Sequence, residues 1–240
     1  MRIAVLSDVH SNLVALDTVL AHAGPVDAVW HLGDVVGYGP DPDGVVARLA
    51  DVKAVGVRGN HDAAALGGDE IEHFNSEARA AMEWTRGVIS DTTRAWLTSL
   101  PERRADREMT LVHGSPRDPI WEYLTSATIA RGSFATLTTA HGLNGHTHLP
   151  AAFTLAADQI DLVRPHDGDS LSLTGLRALL NPGSVGQPRD GDPRASYLIL
   201  DPDLRVARWH RVAYDIGAVQ AAMRAVGLPA RLAARLTHGL

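Results

Sequence analysis

The chain has 240 residues, 45% hydrophobic and 21% charged, the composition of an ordinary globular protein able to bury a sizeable core, and it is read as a single domain over 1–240. Its formal net charge of −6 gives no long-range attraction to nucleic acid or to an anionic membrane, so long polyanionic partners are disfavoured and a small partner is expected. Cysteine is absent, which excludes disulfides and thiolate-held metals and leaves only N and O ligands for any cation.

Met1 runs straight into the apolar stretch Ile3 to Leu6 and then Asp8, without the basic-then-apolar pattern of a signal peptide. No stretch approaches the roughly 18 apolar residues of a spanning helix, so a cytoplasmic address is expected. After that first strand, Leu13, Leu16, Val19 and Leu20 carry a helical period that Gly24-Pro25 stops. A second apolar run, Ala28 to Leu32, leads to Gly33-Asp34. Beyond a Pro/Gly-rich turn, Val45, Val46 and Leu49 predict another helix, and Val52 to Val57 predicts a third strand ending at Gly59-Asn60-His61-Asp62.

Residues 75 to 100 read as one or two amphipathic helices, with Ser90-Asp91 capping the second. A strand over Met109 to Val112, a helix over Ser126 to Leu137 and a short strand over His141 to Asn144 follow. From Pro150 the pattern turns to short strands at 151–155, 159–163, 170–173, 177–180, 196–200 and 206–212. A helix over Ile216 to Val226 and another after Pro229 close the chain. Helices among the early strands and a strand-rich later part predict an α/β fold, a four-layer αββα sandwich of two mixed sheets flanked by helices.

Five polar blocks end apolar runs or stand among them: Asp8-Val9-His10, Gly33-Asp34, Gly59-Asn60-His61-Asp62, His113-Gly114 and Gly145-His146-Thr147-His148. In an α/β sheet such placement gathers side chains at the carboxyl edge of the strands, where these sheets bind substrates. Residues two apart on extended chain point to one side, so Asp8 with His10, and His146 with His148, can each face one cavity. Two carboxylates, four histidines and an amide oxygen are too many ligands for one tetrahedral ion and suit two ions sharing a carboxylate. Any block alone is weak; all five in one chain, holding five of the twelve histidines, are not. The other histidines are read as solvated (His22, His73, His166, His238) or as structural residues on strands (His31, His141, His210).

The five blocks resemble the pattern D-x-H, G-D, G-N-H-D/E, H, G-H-x-H of the calcineurin-like metallophosphoesterases, with every ligand position filled between residues 8 and 148. The resemblance implies one divalent metal on Asp8, His10, Asp34 and His148 and a second on Asp34, Asn60, His113 and His146, with Asp34 bridging. It also implies ions roughly 3.5 to 4 Å apart and in-line attack of a metal-bridging hydroxide on phosphorus. His61 then assists the leaving oxygen and Asp62 orients His61. Manganese is favoured, and iron, zinc and nickel also suit N/O sites of this type.

Residues outside the blocks bear on subclass. After Gly33-Asp34 the chain reads Val35-Val36-Gly37-Tyr38-Gly39-Pro40, where Ser/Thr protein phosphatases and symmetrical dinucleoside tetraphosphatases carry Asp-Arg-Gly; their phosphate-gripping arginine is missing. The tail Asn181-Pro182-Gly183-Ser184-Val185-Gly186 resembles the small prokaryotic phosphodiesterase branch. The resulting expectation is a phosphodiesterase acting on a small ester, such as a cyclic nucleotide or dinucleoside polyphosphate. A phosphomonoesterase with the same site and a catalytically silent protein-binding scaffold of the same fold are the alternatives. Asn12, Tyr38, Arg117 and Arg189 are the candidates for substrate contact. The segment Ser115 to Tyr123 is either a base-stacking platform or a hydrophobic plug.

Overall fold

The computed structural model describes residues 1–240, apart from the side chains at positions 69 and 70. Two mixed six-stranded sheets are flanked by helices. The first sheet has strand order β3(Val55–Gly56)-β2(Ala28–His31)-β1(Ile3–Leu6)-β11(Ala195–Asp201)-β12(Val206–Val212)-β9(Ser170–Ser172). The second has order β4(Arg103–Asp106)-β5(Met109–Val112)-β6(His141–Leu143)-β10(Arg177–Asn181)-β7(Ala151–Ala156)-β8(Gln159–Val163). Strands β1, β2 and β3 run parallel, as do β5, β6 and β10, and the remaining pairings are antiparallel.

The two-residue side-chain period of a strand builds the layers. Ile3 and Val5 of β1, Leu198 and Leu200 of β11, and Ala178 and Leu180 of β10 meet between the sheets together with Trp30, Leu111 and Trp209. Their neighbours Ala4, Leu6, Tyr197 and Ile199 face outward under helices α1(Leu13–Ala23) and α2(Pro42–Asp51). On the other side Leu179 and Phe153 pack under Phe134 and Leu137, at α6(Ala127–Thr136) and its end. Central strands buried on both faces read as unbroken apolar runs, which is why β1 and β5 were legible.

Capping chemistry sets the helix starts. Asn12, Asp41, Ser90, Ser126 and Asp215 each accept a first-turn backbone N–H, at α1, α2, α5(Asp91–Ser99), α6 and α7(Ile216–Ala225). Asn75 does the same for α4(Ser76–Val88). α8(Ala230–Arg235) folds back on α7, and both pack with α4 around Tyr38.

One local expectation is corrected, and two elements appear that the sequence pattern does not announce. The run Val52 to Val57 is a strand only at Val55–Gly56, because Val52 N–H still bonds carbonyls of α2 and ends that helix in a turn. The polar block at Asn60 opens a short helix, α3(Asn60–Ala65). β4 is a polar edge strand, alternately exposed and half-buried, with no apolar period to reveal it. His22, His73, His166 and His238 are exposed, whereas His31 and His141 are buried. Burial holds the His31 imidazole neutral, down to about 3, against the Trp96 ring.

Candidate metal centre

The carboxyl ends of β1, β2 and β3 from one sheet meet those of β5, β6 and β10 from the other, and the five polar blocks follow those ends directly. The loop after β1 continues beside the loop after β2 through Asp8 N–H to Gly33 O, His10 N–H to Asp34 O and Ser11 N–H to Val35 O. Asp8, His10, Asp34, His146 and His148 all have positive φ, between 49° and 66°. Left-handed backbone costs a non-glycine residue about 1 to 2 kcal/mol, and it persists where surrounding contacts over-determine it. Gly59 and Gly145 allow the close approach: a Cβ at either would collide with Asp34 Oδ1 or Ser7 Oγ.

Two buried groups of ligand atoms result. Those of Asp8, His10, Asp34 and His148 lie within 4.8 Å of one another, as do those of Asp34, His113 and His146. Asp34 belongs to both, its Oδ2 lying 3.7 Å from His10 Nε2 and 3.3 Å from His113 Nε2. Its Oδ1 accepts the His61 backbone N–H at 2.9 Å. Asn60 Oδ1 lies 3.0 Å from His113 Nε2 and so joins the second group.

Backbone carbonyls fix the imidazoles of His10, His113, His146 and His148. His10 Nδ1 faces Val36 O at 3.2 Å, His113 Nδ1 faces Leu32 O at 2.8 Å, His148 Nδ1 faces Gln187 O at 2.6 Å and His146 Nε2 faces Trp121 O at 3.2 Å. A carbonyl only accepts, so each of those nitrogens carries the hydrogen and the opposite one presents a lone pair. With all four rings neutral, as metal ligands must be, the lone pairs then face each other: His10 Nε2 and His148 Nε2 at 3.1 Å, His113 Nε2 and His146 Nδ1 at 3.0 Å. Asp8 Oδ1, buried without a hydrogen-bond partner, points at His148 Nε2 from 3.3 Å. Acceptors packed against acceptors repel unless positive charge sits among them. Two nitrogens each about 2.1 Å from one ion would stand roughly 3 Å apart, so the residues fit divalent cations.

The electrostatics agree. Burial pushes the Asp8 carboxyl up to about 7, and the Asp34 carboxylate adds to that; Asp34 itself is held low by His113, His61 and His10 against its own burial. Burial opposes charge on His113, yet Asp34 and Asp8 outweigh it and raise its pKa to about 9. That attraction for positive charge is what a divalent ion would feel. His10 and His148 are held well below their usual value, first by burial, and stay neutral as ligation requires.

His61 lies beside the centre, flanked by Tyr38 at 4.4 Å and by Phe74, stacked at 4.6 Å. Its Nδ1 is enclosed against Gly37 with no partner, which leaves Nε2 as the nitrogen able to meet a ligand. Burial takes its pKa down to about 4, although Asp34 pulls the other way.

Asp62 departs from the expected orientation of His61, because its oxygens are committed elsewhere. Oδ1 accepts Val35 N–H at 2.8 Å and Val36 N–H at 3.1 Å, while Oδ2 accepts Gly59 N–H at 3.0 Å. Asp62 thus ties the Asp34 loop to the start of α3. Asp62→Ala would orphan three buried amides at about 1 to 3 kcal/mol each. Urea unfolding should therefore show a loss of roughly 3 kcal/mol or more; a loss below about 1 kcal/mol would contradict the role.

Two of the four substrate candidates have their polar atoms engaged within the fold. Asn12 is a helix cap: its Oδ1 accepts Ala15 N–H and its Nδ2 donates to Gly186 O, so both ends are spent. The Arg117 guanidinium is paired through two nitrogens with Glu122 and lies against Gly132 of α6. Tyr38 is buried against His10 and His61. Arg189 is half-buried, donates to Gln187 Oε1, and lies over the Tyr38 ring at 5.8 Å.

The segment after β10 does work that its sequence did not reveal. Asn181 Nδ2 donates to Gly145 O at 2.7 Å, Ser184 Oγ donates to Asp8 O at 2.8 Å, and Gly186 N–H donates to the same carbonyl at 3.0 Å. Asn181 and Ser184 therefore clamp the Asp8 and His146 loops together across the two sheets. The signal was the dense run of turn residues between two apolar strands, which is equally the signature of a plain turn.

Comparison with known proteins agrees with this geometry. Residues 1–204 match the calcineurin-like phosphoesterase superfamily domain. The chain belongs to that superfamily. It is 35% identical over 249 residues to an uncharacterised protein of Methanocaldococcus jannaschii, covering 99% of this chain and 98% of that one. A crystal structure of a metallophosphoesterase from Sphaerobacter thermophilus is similar at 44% identity and a TM-score of 0.91, covering 100% of this chain and 99% of that one. A hypothetical protein of Pyrococcus horikoshii OT3 shares the fold at 19% identity and a TM-score of 0.79, covering 100% of this chain and 98% of that one. The chain is thus a calcineurin-like phosphoesterase with a clustered His/Asp metal-binding centre, and no described helix is long and apolar enough to cross a membrane.

Proposed function

We propose that the protein is a phosphodiesterase that hydrolyses a small phosphate ester, with one divalent metal on Asp8, His10, Asp34 and His148 and a second on Asp34, Asn60, His113 and His146. The observation that carries this is the pair of buried ligand groups sharing the Asp34 carboxylate, in which carbonyl-fixed imidazoles turn their lone pairs on one another. Once bound, two such cations lower the pKa of water and offset charge on phosphoryl oxygens. The chain's own residues do the rest. Asp34 holds the two groups in register, and His61, kept neutral by burial, gains proton affinity from the bound anionic ester and presents Nε2 to deliver a proton to the departing oxygen.

Arg189 is the arginine whose charge reaches Asp8, His10, His61 and His148, and it adds to the two cations in offsetting the charge of a bound phosphate. Manganese is the favoured ion for an all-N/O ligand set, although such sites also accept iron, zinc and nickel. The reading takes residues 1–240 as one domain, since α7 and α8 pack onto Tyr38 at the site. It also takes the cytoplasm as the working compartment, which cell fractionation checks.

The test is chelator-stripped protein reconstituted singly with Mn, Fe, Co, Ni or Zn and assayed on bis-(p-nitrophenyl) phosphate and on p-nitrophenyl phosphate. Metals supply several kcal/mol, so stripping should lower turnover by at least about 100-fold, with restoration best by Mn and the diester cleaved faster. No hydrolysis with any ion would refute the enzyme. A faster monoester would refute the diester preference.

A further inference from the structure

The segment between His113 and α6 is held rigidly yet shows aromatic rings to solvent. His113 and Gly114 N–H both donate to Pro119 O, Ser115 N–H donates to Asp118 O, and Asp118 Oδ1 accepts Ile120 and Trp121 N–H. Ser115 Oγ takes Arg117 and Asp118 N–H and bonds Glu122, which in turn holds Arg117. Ile120 and Leu124 are buried and plug the core beneath. Trp121 is only half-buried, and Tyr123 is 49% exposed while stacked on the outer face of His146 at 3.9 Å.

These rings continue a series that starts at the centre. Phe74 stacks on His61 at 4.6 Å, Trp121 lies 6.2 Å from Phe74, and exposed His73 meets Trp121 edge-on at 5.4 Å. An aromatic wall therefore runs from His61 to the surface. Its nearby arginine, Arg117, is spent on Glu122, and Arg189 lies instead over Tyr38. The wall offers stacking faces without a fixed cation, which suits a flat uncharged group rather than a second phosphate.

We propose that Trp121, with Phe74 and Tyr123 beside it, stacks the nucleobase of the leaving group, so that the substrate is a phosphodiester whose departing alcohol belongs to a nucleoside. This rests on the phosphodiesterase reading, because it takes His61 to mark the leaving side. Stacking binds the nucleoside equally before and during bond cleavage and so acts on KM, while Arg189 remains for the phosphate.

Binding of adenosine and of p-nitrophenol to the metal-loaded protein, measured by calorimetry without turnover, tests it. Adenosine should bind saturably, Trp121→Ala should weaken it on the order of ten-fold, and Trp121→Phe should recover most of the loss. A thermal shift with Mn equal to that of the unaltered protein shows that Trp121→Ala is folded and metal-loaded. Under hydrolysis assay the same variant should raise KM for a dinucleoside monophosphate with kcat nearly constant. Absent adenosine binding, or binding of p-nitrophenol alone, would overturn the proposal. Adenosine affinity unchanged in Trp121→Ala would do so too. None of the overturning binding outcomes depends on turnover, so a failed wall is distinguishable from a failed phosphodiesterase.

Discussion

Replacing His61 with alanine is expected to lower kcat by about 10²- to 10⁴-fold while leaving metal content unchanged. Metal content should survive because the contact between this residue and the centre is made by its backbone: His61 N–H donates to Asp34 Oδ1 at 2.9 Å, and a side-chain truncation keeps that bond. The imidazole contributes none of the facing lone pairs of the two ligand groups. What is lost is the Nε2 proton beside the leaving oxygen. The loss should therefore depend on the leaving group, small for p-nitrophenolate, which departs as a stable anion, and large for an alkoxide such as a nucleoside oxygen, which must be protonated as it leaves. Removing the ring also leaves a gap between Tyr38 and Phe74, so His61→Gln serves as a second variant that fills more of the space. Equal losses on nitrophenyl and alkyl esters would remove the proton-delivery role; two bound metals and full turnover would remove any catalytic role.

The core of the fold was legible because its central strands are buried on both faces. Ile3–Leu6 and Met109–Val112 carry four buried residues each, and such runs cannot be mistaken for loop. β4 was not legible, since Arg103–Asp106 lies at a sheet edge with mostly polar side chains and draws its order from pairing with β5. Helix α3 was hidden for a related reason: its first turn is Asn60-His61-Asp62, and the capping contact is made by Asp62 reaching back to Gly59 N–H.

At the site the division is similar. The pattern of Asp and His blocks named the ligand types, because metal chemistry constrains which residues can serve. It did not reveal the four backbone carbonyls that fix the imidazoles, since any residue can supply a carbonyl. Nor could it separate Asn12, a helix cap, or Arg117, a partner of Glu122, from residues free to meet substrate. Those assignments depend on what stands opposite each side chain, and the partners come from distant segments or from the same loop folded back.

Asp34→Asn is expected to abolish tight binding at both metal positions, lower turnover at least about 10³-fold, and leave the stripped protein, at a pH above about 9 where His113 is neutral, as stable as the original or more so. The two effects have opposite signs because of where the carboxylate points. An asparagine oxygen can still accept His61 N–H, as Asp34 Oδ1 does at 2.9 Å. Its amide nitrogen would then face His10 Nε2 and His113 Nε2, which Asp34 Oδ2 now approaches at 3.7 and 3.3 Å. At a pH above about 9, where His113 is neutral, those nitrogens present lone pairs, so the amide donates where the carboxylate repelled, and the repulsion that helps raise Asp8 is relieved. A divalent ion meets the reverse: the shared anion is gone and an N–H occupies its approach. By mass action, a metal at 100 times its Kd stabilises the folded state by about 2.7 kcal/mol per site. Thermal unfolding with and without Mn should therefore show a rise in Tm for the unaltered chain and almost none for the variant, with metal analysis falling from two equivalents. Retention of two tightly held ions in Asp34→Asn would show that the carboxylate is not shared, and the two ligand groups would have to be treated as separate sites.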